Sequence, residues 1–261
     1  MQPKTCEFLN LLLWTADMFL RPTFRNLTGS YESWVYRNGL SRRVHTLHKQ
    51  KLLERREGHP NDRLYRLTEQ GRLQALGGRD PQQRWTRRWD GRWRMVLFDI
   101  PAGQNARRER LRRYLRSKGF GCLQGSVWVT PDSLEEERTV LGDGKINVES
   151  LLLLEARPCA GESDAEIVAG AWDFQRINER YARYLKVLEQ RPGISLGTEA
   201  GAKALLRWAT AERAAWLDAV TSDPLLPARL LPFNYRGKDA WHRRIRILRE
   251  AGGQLRTFNL P

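Results

Sequence analysis

Between residues 6 and 20, apolar side chains return every three to four positions, as Phe8 and Leu12, then Leu9 and Leu13, with Trp14 and Met18 behind them. That spacing predicts an amphipathic helix. Thr28, Gly29 and Ser30 offer an N-cap region for a second short helix over 31–37, and Asn38-Gly39 supplies a tight turn. A third helix is expected over 40–50, with Ser41 a candidate N-cap and Leu40, Val44, Leu47 and Leu52 on one apolar stripe. Residues 52–56 and 63–67 read as strands around the turn Gly58-His59-Pro60-Asn61-Asp62, and Thr68 caps a short helix beginning at Glu69. Three helices followed by a hairpin is the order of a winged helix-turn-helix.

The pattern then changes. Residues 95–100 form a short apolar run ended by Pro101, as in a buried strand. Residues 105–118 are helical in period, with Leu111, Tyr114 and Leu115 as the apolar stripe and Gly119-Phe120-Gly121 as the stop. A second strand is expected over 123–130, a second helix over 133–141 and another strand over 149–156. This alternation is that of a ferredoxin-like sandwich, with one strand less clearly marked. From Ser163 a single long helix is expected through Ile167, Ala171, Phe174, Ile177, Tyr181, Leu185 and Leu188, ended by Arg191-Pro192-Gly193. Another begins at Thr198 and runs through Trp208, Trp216 and Val220. Asp223-Pro224 and Leu226-Pro227 force an extended turn, and a last helix covers about 238–250. Such long apolar stripes serve a core, a dimer surface or a pocket wall. The expected class is α+β, in three parts: a DNA-binding head at 1–78, a ferredoxin-like domain at 79–160 and a helical C-terminal domain at 161–261.

Charge sharpens the division. The 261 residues carry a formal charge of +15, distributed as +6 over 1–80, +9 over 81–125 and zero beyond. An excess concentrated in this way points to a polyanionic partner for the N-terminal half, with a generally solvated basic face as the alternative. On the third helix, Ser41, Arg42, Arg43, His45, Thr46 and Lys49 fall outside the apolar stripe. Arginines in a first turn suit the major groove of double-stranded DNA, where each can pair with guanine. Arg55, Arg56, Arg63 and Arg66 would place positive charge on the wing, beside the flanking phosphates. The segment Arg84 to Arg94 interleaves arginine with tryptophan, either as a stacking surface for nucleic acid or as a turn whose tryptophans anchor neighbouring structure. The role of the basic stretch from Arg84 to Lys118 stays open between these readings.

Other chemistries are thinly represented. The longest apolar runs, 11–14 and 151–154, are too short for a membrane span. Cys6, Cys122 and Cys159 lack paired or metal-binding spacing and read as buried thiols in a reducing cytoplasm. His45 and His48 lie three apart, but no third or fourth ligand is suitably placed. There is no GxSxG, phosphate-binding loop or dinucleotide fingerprint, so no enzyme activity and no cofactor are expected.

The run VLFDIPAGQNARRERLRRYLRSKGFGCLQGSVWVTP resembles the middle domain of the PaaX-type regulators of phenylacetate degradation, a domain itself similar to a small CRISPR-associated ferredoxin-like nuclease. AWDFQRINERYARYL and DPLLPARLLPFNYRGKDAW resemble the C-terminal region of the same regulators. The resemblance implies a dimeric transcriptional repressor, released from DNA by an acyl-CoA effector such as phenylacetyl-CoA. It also raises an alternative. Asp99 ends the first strand of the sandwich, where the related nucleases carry an aspartate proposed to bind metal. Two such residues meeting across a dimer could hold Mg²⁺ and activate water for phosphodiester attack, whereas no second carboxylate lies near Asp99 in sequence and Asp132 is only loosely placed.

Overall fold

The computed structural model describes residues 40–55, 65–68, 70–71, 79–101, 103–135, 150–193 and 199–258. The elements are α1 (Leu40–Lys49), β1 (Leu53–Arg55), β2 (Tyr65–Leu67), α2 (Pro81–Thr86), β3 (Trp93–Asp99), α3 (Asn105–Ser117), β4 (Gly121–Gln124), β5 (Val127–Thr130), β6 (Ser150–Ala156), α4 (Asp164–Ala171), α5 (Phe174–Glu189), α6 (Glu199–Ser222), a 3-10 turn (Ala228–Leu230) and α7 (Gly237–Phe258). The class is α+β, as expected. The chain falls into two compact units: Pro81–Glu179 with Ala219–Tyr235 forms one, and the remaining described segments form the other.

The first unit is built on a four-stranded antiparallel sheet in the order β4-β5-β3-β6. With α3 crossing from β3 to β4, this is the strand order of a ferredoxin-like sandwich. The segment 123–130, expected as one strand, is instead the hairpin of β4 and β5. Gly125 sits at φ +52° in the two-residue turn, and Gln124 pairs with Val127. A left-handed residue ends a strand, and glycine adopts that conformation without a Cβ clash. The hairpin supplies the strand that the sequence marked least clearly. The second helix, expected over 133–141, lies outside the described residues beyond Glu135.

On β3, Val96 and Phe98 alternate toward α3 and meet Leu111, Leu115, Ile100, Phe120 and Trp128, all buried. A core leucine replaced by alanine costs about 2–5 kcal/mol, so this cluster alone decides whether the sandwich is stable. On the opposite face, α4 packs on β4. The single helix expected from Ser163 is therefore two helices. Trp172 breaks it in an extended conformation, at φ −131° and ψ 136°. Its indole N–H donates to the Gly119 carbonyl at 3.2 Å, and its ring lies against Trp93 with centroids 6.0 Å apart. Asp173 then accepts the Arg176 backbone N–H and restarts the chain as α5. The start at Ser163 stands, closed by a capping box with Glu166.

Gly121 shows how close this packing is. A Cβ there would lie 2.6 Å from the Trp172 ring and 2.7 Å from the Ala171 Cβ. Gly121→Ala should destabilise the unit by about 2–4 kcal/mol, read as a lowered urea midpoint at unchanged slope. An unchanged midpoint would mean that α4 does not press on β4.

In the second unit, α1 ends in a Schellman motif. The Leu52 N–H donates to the Leu47 carbonyl and the Lys51 N–H to that of His48, both at 2.9 Å, with Lys51 at φ 57°. Leu47 and Leu52 are both buried, as that motif favours. β1 and β2 then pair antiparallel, Leu53 opposite Leu67 and Glu54 opposite Arg66. Thr68 ties these pieces together: its N–H donates to the Leu52 carbonyl, its hydroxyl donates to the Lys51 carbonyl and accepts the Gly71 N–H. The helical part of this unit holds a buried ionic cluster. Arg244 Nε lies 2.8 Å from Glu212 Oε1, the Tyr184 hydroxyl donates to the same oxygen at 2.8 Å, and the Arg244 guanidinium stacks 4.9 Å from the Trp216 ring centre. Burial opposes the Arg244 charge, but Glu212 and Tyr184 outweigh it and hold the guanidinium above its usual value. Burial, reinforced by Glu212, pushes the Tyr184 phenol well up.

Candidate functional site

The residues expected to read DNA fall on α1 and the hairpin behind it. His45, Thr46 and Lys49 are exposed on α1, as is His48, while Leu47 between them is fully buried. The helix therefore presents one polar side outward and anchors the other. Ser41, Arg42 and Arg43 occupy its first turn. Arg55 ends β1 and Arg66 lies in the middle of β2. Arg56 and Arg63 lie outside the described residues, as does Cys6. Of the other two thiols expected to be buried, Cys122 is half-buried and Cys159 is exposed, because Cys159 follows the end of β6.

Gly71 limits how this arrangement can change. A Cβ at Gly71 would lie 2.0 Å from the Leu52 carbonyl oxygen, a backbone atom that cannot swing aside. Gly71→Ala should therefore displace the Thr68 cap from the end of α1 and cost at least about 2 kcal/mol, measurable as earlier loss of amide-exchange protection in α1.

The Arg/Trp stretch resolves into two kinds of residue. Trp85 and Trp93 are buried: Trp85 lies edge-on to Tyr235, and the Trp93 indole donates to Asp164 at 2.8 Å. Four arginines are tied to acids. Arg84 and Arg87 share Asp132 at 3.1 and 2.6 Å, and Arg87 also donates to the Leu225 carbonyl. Burial lowers the Arg87 guanidinium below its usual value, with Asp132 opposing. Arg92 pairs with Glu155 at 2.7 Å, and Arg94 bridges Asp90 and Glu155. The hydrogen bond from Arg94 brings the Asp90 carboxyl down to about 2. Of the two readings of this stretch, the tryptophans and these four arginines follow the structural one.

The arginines of α3 differ. Arg107, Arg110, Arg113 and Arg116 are exposed. Arg107 bonds only the neutral Gln104 side chain, and Arg116 lies over the Trp128 ring at 5.4 Å. Among the described residues, Arg110 and Arg113 have no partner. The single acid of the helix, Glu109, is taken by Arg112 at 3.1 Å.

Asp99 and Asp132 do not meet within the chain. Asp99 is exposed at the far end of β3, whereas Asp132 follows β5 beyond the Arg94–Thr130 pair. Five residues of strand separate the two ends, about 17 Å at 3.4 Å per residue. Asp132 is moreover held by two guanidiniums. Among the described residues, no group of three His, Cys, Asp or Glu side chains is placed to hold a metal ion. No described helix is long and apolar enough to cross a membrane.

One concavity was not legible in the sequence. A cleft of about 700 Å³ opens between α4, the 171–175 link and residues 229–232. Val168, Trp172, Phe174, Leu230 and Pro232 give it an apolar wall, and Arg229 stands at the wall with its guanidinium 5.8 Å from the Trp89 ring centre. Its two sides are about 60 residues apart in the chain, so no local motif could announce it.

Comparison with known proteins agrees with this architecture. Among solved structures, the uncharacterized protein Rv0674 from Mycobacterium tuberculosis has a similar fold, with a TM-score of 0.54 and 21% identity over 96% of this chain and 90% of that one. No curated protein matches. Residues 86–168 match the family of the PaaX protein central Cas2-like domain. That span covers the sheet from within α2 to the middle of α4, where the strand order and the α3 crossover are those of a ferredoxin-like sandwich. Residues 86–168 of this chain are therefore similar, in sequence and in strand order, to the PaaX central Cas2-like domain.

Proposed function

We propose that the protein is a sequence-specific DNA-binding transcriptional regulator of the PaaX type, a repressor that acts as a homodimer in the cytoplasm. The observation that carries this reading is the match of residues 86–168 to the PaaX central domain, preceded in the chain by the helix–hairpin of α1, β1 and β2. In it, residues 1–78 are a winged helix-turn-helix head. α1 enters the major groove with Ser41, Arg42, Arg43, His45, Thr46 and Lys49, and Arg55, Arg56, Arg63 and Arg66 of the wing meet phosphates. The Schellman motif and the Thr68 bonds hold α1 and the hairpin at a fixed mutual angle, which groove reading requires. The apolar cleft beside Arg229 suits the acyl part of an acyl-CoA effector such as phenylacetyl-CoA. Effector binding would then change the separation of two heads, which must match half-sites about 34–36 Å apart.

The test is a gel shift with the DNA upstream of the protein's own gene, with and without acyl-CoA candidates. Specific retardation that one acyl-CoA reverses supports the reading. Arg229→Ala should raise the concentration of that acyl-CoA needed for release about tenfold, with DNA affinity unchanged in its absence. An effector that releases the variant at the parent's concentration would remove the cleft from the mechanism. For the nuclease alternative, Asp132 does not serve as the partner of Asp99 within the chain, since Arg84 and Arg87 engage it.

A further inference from the structure

The outer face of α3 has a charge pattern that folding does not explain. The helix holds six arginines in 13 residues and one acid. Its first turn contains no acid and two arginines, Arg107 and Arg108, at the end where the helix dipole favours negative charge. Arg107 and Arg110, Arg110 and Arg113, and Arg113 and Arg116 are each three residues apart, a spacing at which like charges repel. Solvated helix faces ordinarily mix signs and form acid–base pairs at these positions. Among the described residues, the one such pair on α3, Glu109–Arg112, leaves Arg110 and Arg113 unneutralised. A local rule broken without a gain in the folded state marks a site kept for something outside it.

We propose that this face of α3 is a second DNA contact, one that grips the phosphate backbone of a duplex without reading its sequence. It rests on the DNA-binding reading above and extends it from the head to the sandwich. The charges suit this partner. From Arg107 to Arg116 the helix rises about 14 Å, and a duplex offers one negative charge per about 1.7 Å of its axis. Guanidiniums bond phosphate oxygens through two parallel N–H groups, and their weak hydration makes the exchange with water inexpensive. A small anion such as a nucleotide effector fits less well, because these are exposed side chains in a row and none of them lines the described cleft. The cleft of this unit is lined by a different set of residues, from Asp164 to Gln175 and from Arg229 to Pro232. Arg116 is steadied over Trp128, and Arg107 by Gln104, so two of the four groups are oriented before contact.

The test compares the full-length parent with Arg110→Gln/Arg113→Gln on a labelled duplex of unrelated sequence, about 30 base pairs long, by fluorescence anisotropy from about 50 to 200 mM KCl. Each phosphate contact adds about 0.9 to the slope of log affinity against log salt, so the variant's slope should be shallower by about 1.8. Over that fourfold rise in salt the parent then loses about 12-fold more affinity than the variant. The melting temperature should stay the same or rise, because repulsion within the helix is relieved. The charge-matched control Arg157→Gln/Arg176→Gln, at exposed positions off α3, should keep the parent's slope. An unchanged slope in the α3 variant, or an equal loss in the control, overturns the proposal while DNA binding by the head stands. A change on duplex RNA but not on duplex DNA also overturns it. If the parent binds no duplex at all, the function reading falls with it.

Discussion

Arg42→Ala/Arg43→Ala is expected to abolish the preference for operator over unrelated duplex. Both residues occupy the first turn of α1, the part that reads base edges if α1 is the recognition helix proposed above. A bidentate arginine–guanine pair discriminates by about 1–3 kcal/mol, so losing two removes about 2–6 kcal/mol, a fall of roughly 30-fold to 10⁴-fold in specific binding. Binding to unrelated DNA should weaken far less, since the wing and the α3 face are untouched. The measurement is the ratio of the two dissociation constants at one fixed salt concentration. Operator preference that survives the double substitution would remove α1 from the groove and leave the head with only a phosphate-binding role. Arg55→Ala makes the complementary change: affinity should drop equally for all sequences, with the salt slope flatter by about 1.

The second large effect concerns Arg244. Removing one member of a buried ion pair leaves the other charged and dry, at a cost of about 3–5 kcal/mol. Arg244→Met should therefore lower the melting temperature by roughly 6–20 °C at about 2–4 °C per kcal/mol for a chain of this size. Glu212, freed of its partner, is what destabilises that variant, so Glu212→Leu in the same protein should recover part of the loss. Full recovery needs Tyr184→Phe as well, because Tyr184 donates its proton to Glu212 Oε1 and would otherwise be left with a buried, unpaired hydroxyl. A triple variant as unstable as Arg244→Met would show instead that the stacking of Arg244 on Trp216 is what matters.

Much of the framework could be read from the residues. α3 was expected over 105–118 and spans 105–117, because Pro101 and Gly119 bound an unambiguous 3.6-residue period. β3 and β6 fell within two residues of expectation for a similar reason. Two errors share a cause. The apolar alternation of Leu123, Val127 and Val129 masked the turn at Gly125-Ser126, although a Gly-Ser pair between two strand-like runs is a hairpin signal. The apolar row Ile167, Ala171, Phe174, Ile177 likewise runs straight through the break at Trp172. Gly170 stands two residues before that break but a lone glycine does not end a helix, and the break is fixed by a tertiary bond to the Gly119 carbonyl. The candidate surfaces divide in the same way. Exposure of His45, Thr46 and Lys49 followed from one amphipathic helix. Which arginines of the basic stretch would be neutralised did not, because Asp132, just after β5, and Glu155, in β6, lie 45 and 63 residues downstream of Arg87 and Arg92.

The sheet unit is discontinuous in the chain, and this has a consequence for synthesis. Arg87 donates to the Leu225 carbonyl, Trp85 meets Tyr235, and the Tyr235 hydroxyl bonds Asp223. The segment that makes these contacts, 219–235, follows roughly 40 residues belonging to the other unit. At about 5–20 residues per second, a ribosome needs a further 2–8 s after Glu179 before that segment begins to emerge. Throughout that interval the nascent sheet waits with Trp85 and Arg87 unpartnered by 219–235. A stop codon anywhere between 180 and 218 would leave it permanently without those contacts, with only the core from Val96 to Trp128 to hold the sheet together.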